Sequence, residues 1–267
     1  MVIILNYEEL INKIFCIDNL LLLRQIPDNT IDLIYCDILY NTGKKLKDYN
    51  DNLGTPNDAL EWYSPRLNEM YRILKNTGTI YLHMDYRLVH YVKVEMDKIF
   101  GIDNFRNEII WAYTSPSNTK KDFPRKHDNI LRYTKTNFFV FNYNEIRIPY
   151  SQESINRAKR KNIAVDNMKF EKIKLNELGK IPEDWWNDIN ITSHYPHQNI
   201  GYYSQKPIKL LERIVKASSN KGDIVADFFC GSGTTCVVAK ELNRNYLGCD
   251  INQKAINITN QRLILSN

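Results

Sequence analysis

The sequence predicts an α/β fold, a mostly parallel sheet with helices on both faces, and three observations lead there. Apolar runs of strand length alternate with helix-length stretches through most of the chain. One run, Ile31–Asp37 (IDLIYCD), is nearly continuous in apolar and β-branched residues, as a strand covered on both faces must be. The segment Asp227–Thr235 (DFFCGSGTT) sets two glycines between a strand and a helix, where such folds present backbone N–H groups to a ligand.

In chain order, Lys13–Asp18 is a short strand ending in an acid. Asn19–Ile26 is a helix stopped by the turn at Pro27, Asp28 and Asn29. After Ile31–Asp37 comes a polar loop with Gly43 and Gly54, then a helix capped by Asn57 and running to Lys75. Thr79–Met84 is a strand, Tyr86–Phe100 a helix closed by Gly101, and Asn107–Tyr113 a strand. Ser115–Asp128 is a polar, basic loop, after which Ile130–Tyr133 and Asn137–Asn142 pair as strands. From Tyr143 to Tyr203 the periodicity fades into charge clusters and the pair Trp185 and Trp186, the composition of an inserted lobe. Order resumes with an amphipathic helix over Pro207–Ser218, its stripe formed by Ile208, Leu211, Ile214 and Val215. Strand Asp223–Phe229, helix Thr234–Leu242, strand Tyr246–Asp250 and helix Gln253–Leu265 complete the chain. The expected divisions are 1–142, 143–203 and 204–267.

Composition narrows the function. Of 267 residues, 43% are hydrophobic and 25% charged, which excludes disorder as the main state. No apolar run approaches the roughly 20 residues of a membrane span, and the N-terminus does not read as a signal peptide, so a cytoplasmic location is expected. Five cysteines without a C-x-x-C pair argue for reduced, buried thiols. The five histidines have no ligand spacing, and no metal is expected. Net charge is only +5, but Thr114–Lys180 holds 15 Lys and Arg against 7 Asp and Glu. A basic segment on a nearly neutral body points to a polyanion.

The glycine loop selects among nucleosides. No Lys follows Gly233, so it is not a triphosphate loop, and it has two glycines where a dinucleotide fingerprint has three. Asp250 ends the next strand, placed to accept from ribose hydroxyls. S-adenosylmethionine suits this pattern best. Cys230 has no nearby His and reads as a structural thiol.

At the end of Ile31–Cys36 stands Asp37-Ile38-Leu39-Tyr40-Asn41-Thr42-Gly43. Together with Asp227–Thr235 and the run Ser204-Gln205-Lys206-Pro207, it resembles the amino-group DNA methyltransferases, which modify adenine N6 or cytosine N4. Their catalytic motif is Asp-Pro-Pro-Tyr. The catalytic motif precedes the cofactor motif, the order of the β subgroup, and the size resembles the methyltransferases of type II restriction systems. The resemblance implies a Rossmann-like fold with a seven-stranded, mostly parallel sheet. It implies S-adenosyl-L-methionine as cofactor, held by Asp18, Asp37, Lys206, Asp227, Phe228, Cys230, Gly231, Gly233, Thr234, Thr235 and Asp250. It makes Asp37, Ile38 and Tyr40 catalytic and 143–203 a target-recognition lobe. Double-stranded DNA is the implied partner, a homodimer is suggested by analogy, and a restriction endonuclease is the functional counterpart. Lys44, Lys45, Lys120, Lys121, Phe123, Arg125, Lys126, His127, Arg157 and Arg160 are the candidate DNA contacts.

Ile38 and Leu39 replace the two prolines. The residue after the acid contributes a backbone carbonyl, which Ile38 retains; proline adds rigidity by fixing φ. The expectation is an active adenine-N6 enzyme. Cytosine N4 or RNA as substrate, and a DNA-binding relative without catalysis, are the alternatives.

Overall fold

The computed structural model describes residues 4–45, 50–159, 175–195, 200 and 205–266. Helix α1 (Tyr7–Leu10) leads into β1 (Lys13–Cys16), α2 (Asn19–Leu23) and β2 (Ile31–Asp37). A small hairpin, β3 (Lys44–Lys45) and β4 (Asn50–Asp51), precedes α3 (Pro56–Ile73) and β5 (Leu74–Met84). Then follow α4 (Val89–Phe100), β6 (Phe105–Ala112), β7 (His127–Thr134), α5 (Gln152–Lys159) and β8 (Trp185–Trp186). The chain closes with α6 (Ile208–Ser218), β9 (Ile224–Asp227), α7 (Thr234–Glu241), β10 (Asn245–Asp250) and α8 (Gln253–Leu265).

The main sheet has the order β1-β10-β9-β2-β5-β7-β6-β8. Seven longer strands are joined by the two-residue β8, which pairs with β6 through Ile110–Trp185 and Trp111–Trp186. Strands β1, β10, β9, β2 and β5 run parallel, while β7 is antiparallel to both β5 and β6. Alternate residues of β2 feed two cores. Ile34 and Cys36 pack with Leu22, Tyr63, Leu67, Met70, Val92 and Met96 from α2, α3 and α4. Leu33 and Tyr35 pack on the other face with Leu211, Ile214 and Val238 from α6 and α7. A third cluster joins α7 to α8 through Cys236, Val237, Ile256 and Leu263.

Several elements differ from the sequence expectation. Asn137–Asn142 is not a strand, because β7 already has β5 on one side and β6 on the other, leaving no edge to pair with. The cap of α3 is Thr55 rather than Asn57. Its Oγ1 accepts from Asp58 N, the Asp58 carboxylate accepts from Thr55 N, and Pro56 occupies the first turn, where no N–H is needed. The expected lobe does not stand wholly apart: Trp186 is buried on the second core, and Ile189 O accepts from Trp111 Nε1 at 2.7 Å. The five cysteines are free thiols, all but Cys16 buried. Among the described residues, no helix is long and apolar enough to cross a membrane.

Candidate active site

Between β9 and β2 the connections of the parallel sheet diverge, and a crevice opens at the strands' C-terminal ends. A cleft of about 1100 Å³ lies there. Asp37, Ile38, Tyr40 and Lys44 line it from the loop after β2, Gln205 and Lys206 from the segment before α6, and Asp18, Phe229, Gly231 and Asp250 from the ends of β1, β9 and β10.

Asp37 is the last residue of β2. Its carboxylate pairs with Lys206 Nζ and accepts from Tyr40 Oη at 2.9 Å. Burial, then the Asp37 charge, push the Tyr40 phenol well above its ordinary value, so it is a donor. Lys206 Nζ lies 5.5 Å from the Tyr40 ring centre, a cation–π contact. The loop after Asp37 is fixed without proline. Ile38 N donates to His83 O at 3.1 Å, extending the β2–β5 ladder by a bond proline could not make. The Ile38 side chain is buried, and Leu39 O accepts from Tyr63 Oη at 2.9 Å. Beyond Tyr40, the Asp51 carboxylate accepts from Asn41 N, Thr42 N and Thr42 Oγ1 at 3.0, 3.0 and 2.6 Å. Asn41 has φ +53°, a left-handed turn that asparagine tolerates, and its amide bridges Leu53 N and Gly54 O.

The loop after β9 is built differently. Gly233 has φ +76°, and a Cβ there would meet Thr259 Cγ2 at 2.3 Å. Its glycine is required by packing against α8, not by a ligand's approach. Thr259 Oγ1 donates to Gly231 O, and Arg262 Nη1 donates to Ser232 O and Thr234 Oγ1. Thr235 Oγ1 donates to Asp227 Oδ2 at 2.6 Å, and Phe229 N to Oδ1. Burial pushes the Asp227 carboxyl up to about 7. Asp227, Cys230, Thr234 and Thr235 border a cavity of about 30 Å³ that shares Asp37, Lys206, Phe229 and Gly231 with the cleft. Burial likewise raises the Cys230 thiol, so it is no nucleophile. Asp250 receives Gly231 N at 3.0 Å and Asn252 N at 2.8 Å, binding loop to strand end. Phe228 is 1% exposed and packs into the core, yet it lines the cleft together with the half-buried Phe229, which lies beside Trp62. Asp18 borders the cleft with a carboxylate engaged by Leu20 N, Leu21 N and Arg66, the last at 3.0 Å.

The candidate DNA contacts gather near the cleft mouth only in part. Lys44 borders it, with Lys45 next in β3. Lys120, Lys121, Arg125 and His127 are exposed, and Phe123 is 95% exposed. Arg125 lies over the Tyr86 ring at 4.5 Å. Lys126 turns inward to Ser115 Oγ and Pro116 O. Arg157 is exposed in the last turn of α5; Arg160, with Tyr203 and Ser204, lies outside the described residues. Among the described residues, no group of three His, Cys, Asp or Glu is close enough to hold a metal ion.

Sequence reasoning misses Asp128 and His83. Asp128 stands between His127 and an apolar run, and an acid opening a strand is the one signal it gives. Trp62, Tyr113 and the turn at Ile191–Ser193 also border the cleft and carry no local motif.

The known proteins that this chain resembles agree with the geometry. A DNA methylase family profile of the N6/N4 methyltransferase type matches residues 31–261. The chain is 35% identical over 253 residues to the type II methyltransferase M.HpaI of Haemophilus parainfluenzae, covering 94% of this chain and 74% of that protein. It is 30% identical over 252 residues to the DNA adenine methyltransferase YhdJ of Escherichia coli strain K12, covering 92% and 80%. Among solved structures, TTHA0409 of Thermus thermophilus, complexed with S-adenosyl-L-methionine, matches with a TM-score of 0.62 at 19% identity, over 95% of this chain and 93% of that one. That last likeness is one of fold.

Proposed function

The chain belongs to the N6/N4 DNA methylase family, and from that premise we propose that it methylates adenine N6 in double-stranded DNA, using S-adenosyl-L-methionine. The observation that carries the reading is Asp37 at the end of β2, its carboxylate facing the cleft beside a donor ring, Tyr40. An acid at this position, and the adenine enzyme YhdJ among the relatives, favour adenine over cytosine.

The cleft suits the cofactor. Phe229, Ile251 and Ile17 offer apolar surface for a purine, and the Asp250 carboxylate stands at the strand end where ribose hydroxyls would donate. The Lys206 and Asp37 pair, also on the cleft, would take the amino-acid end and the reacting methyl. When bound, S-adenosyl-L-methionine supplies an electrophilic methyl on a sulfonium.

The rest falls to this chain's residues. The adenine amine is a weak nucleophile because its lone pair is spread into the ring. A base swung out of the duplex would stack on Tyr40. Its two amine hydrogens would be accepted by the Asp37 carboxylate and the Ile38 carbonyl, which favours a pyramidal nitrogen aimed at the methyl. No covalent enzyme adduct is needed, and the proton released on transfer passes to Asp37. The ladder bond from Ile38 N to His83 O supplies the rigidity lost with proline, so the altered motif keeps its preorganisation. Exposed Lys120, Lys121 and Arg125, with Arg157 from the basic segment, serve phosphate contacts, and 143–203 contributes target recognition.

A nucleoside digest tests this. Unmethylated DNA is incubated with the protein and S-adenosyl-L-methionine, hydrolysed and read by mass spectrometry. N6-methyl-2′-deoxyadenosine is expected, and Asp37→Ala should reduce it by roughly 10²–10⁴-fold, the range for losing a positioned proton acceptor. N4-methylcytosine would replace the adenine reading. DNA binding without either product would remove the catalytic one.

A further inference from the structure

The Tyr40 hydroxyl stands between two carboxylates. Its oxygen is 2.9 Å from Asp37 Oδ1 and 3.2 Å from Asp128 Oδ2. A phenol has one hydrogen to donate, so the two compete for it. Asp37 is already balanced by Lys206, whereas Asp128 faces the His83 imidazole. Three neighbouring strand ends bring these groups together: β2 with Asp37, β5 with His83 opposite it in register, and β7 with Asp128.

Asp128 is held firmly. It is 7% exposed yet borders the cleft. Its Oδ1 accepts from Tyr113 Oη and its Oδ2 faces His83 Nε2, both at 3.2 Å. His83 Nδ1 meets Tyr35 Oη at 2.8 Å. A ring protonated on Nε2 satisfies both sides, giving to Asp128 and accepting from Tyr35. Burial is the largest single influence and works against the charge on Asp128, but His83, Lys206 and Tyr113 together outweigh it and hold the carboxyl below its ordinary range. A fixed anion therefore sits within reach of the Tyr40 hydroxyl, as a second acceptor beside Asp37.

We propose that Asp128 is a positioning residue for Tyr40, taking over its hydroxyl hydrogen when a substrate amine donates to Asp37. The handover needs only rotation about the C–O bond of the phenol, since both acceptors already lie in reach. It leaves Asp37 Oδ1 free for the amine while the ring stays tethered in the pose on which a base stacks. This rests on the methyltransferase reading above.

The test is a double-mutant cycle on the single-turnover rate of methyl transfer to unmethylated DNA, comparing wild type, Asp128→Asn, Tyr40→Phe and the double variant. Asp128→Asn should slow the wild type about tenfold, yet leave Tyr40→Phe no slower than it already is. Affinity for S-adenosyl-L-methionine and melting temperature should stay near wild type. Losses that multiply in the double variant, or an Asp128→Asn chain as fast as wild type, would overturn the proposal. If Asp128→Asn does not fold, Asp128→Glu enters the cycle and must show the same dependence on the Tyr40 hydroxyl. A wild-type protein that binds S-adenosyl-L-methionine but methylates nothing would instead sink the function reading, and this proposal with it.

Discussion

The loop after β2 and the loop after β9 meet across one cleft and are held by opposite means. Asp227–Thr235 is clamped against α8: a glycine pressed against Thr259, and backbone carbonyls that accept from Thr259 and Arg262. Asp37–Gly43 is suspended by polar side chains, Asp51 beneath Asn41 and Thr42, Lys206 on Asp37, and Tyr63 on Leu39. One loop tolerates no added atom, whereas the other tolerates added atoms but not the loss of a partner. Placing a cofactor calls for a rigid wall; admitting and releasing a base calls for acceptors whose donors can be exchanged.

Substitutions separate the two. Gly233→Ala carries a left-handed φ and a clash of 2.3 Å, and should cost about 3 kcal/mol in denaturant unfolding. Adding Thr259→Ala removes Cγ2 and Oγ1 and should recover part of that loss. Equal stability of Gly233→Ala and wild type would break the picture of a packed wall. Asp51→Ala orphans Asn41 N and Thr42 N, and should cost about 2 kcal/mol. Its mark is a single-turnover rate lowered even well below the melting point; an unchanged rate would mean that the Tyr40 loop keeps its pose without its anchor.

Charge is the packed loop's weak point. Asp227, pushed up to about 7 by burial, ionises near 4 once unfolded. The folded chain therefore binds the extra proton between those values. The stability this gives is complete below pH 4 and is lost as pH rises through 7, by about 1.4 kcal/mol between pH 6 and 8. Asp227→Asn should flatten that part of the melting-temperature profile. Smallest is Gly43→Ala: φ is +71°, but nothing lies within 4 Å of the added Cβ, so about 1 kcal/mol is expected. A Gly43→Ala cost equal to that of Gly233→Ala would erase the distinction between the loops.

The same difference explains what could be read in advance. The packed loop announces itself through Gly231 and Gly233 between a strand and a helix, and most strands through their unbroken apolar runs. The suspended loop shows only Asp37 and Tyr40. Its supports Asp51, His83 and Asp128 stand 9 to 88 residues from what they hold, and each is an ordinary polar residue in its own neighbourhood; Lys206 alone carries a motif of its own. Phe229, which the motif reading leaves out, lines the cleft beside Phe228 in the turn that follows β9, where no strand periodicity marks it. Asn137–Asn142 has strand composition, but whether a strand forms depends on a free edge, which composition does not record.

The strand order has a consequence for synthesis. Strands β10 and β9 lie between β1 and β2. β1 and β2 are therefore separated by a gap that only β9 and β10, more than 180 residues further along the chain, can fill. Until β9 has emerged β2 has one bare edge, and until β10 has emerged β1 has no neighbour, both open to wrong pairing. A chain broken off before β9 thus carries Asp37 and Tyr40 on a sheet that lacks the opposite wall of their cleft.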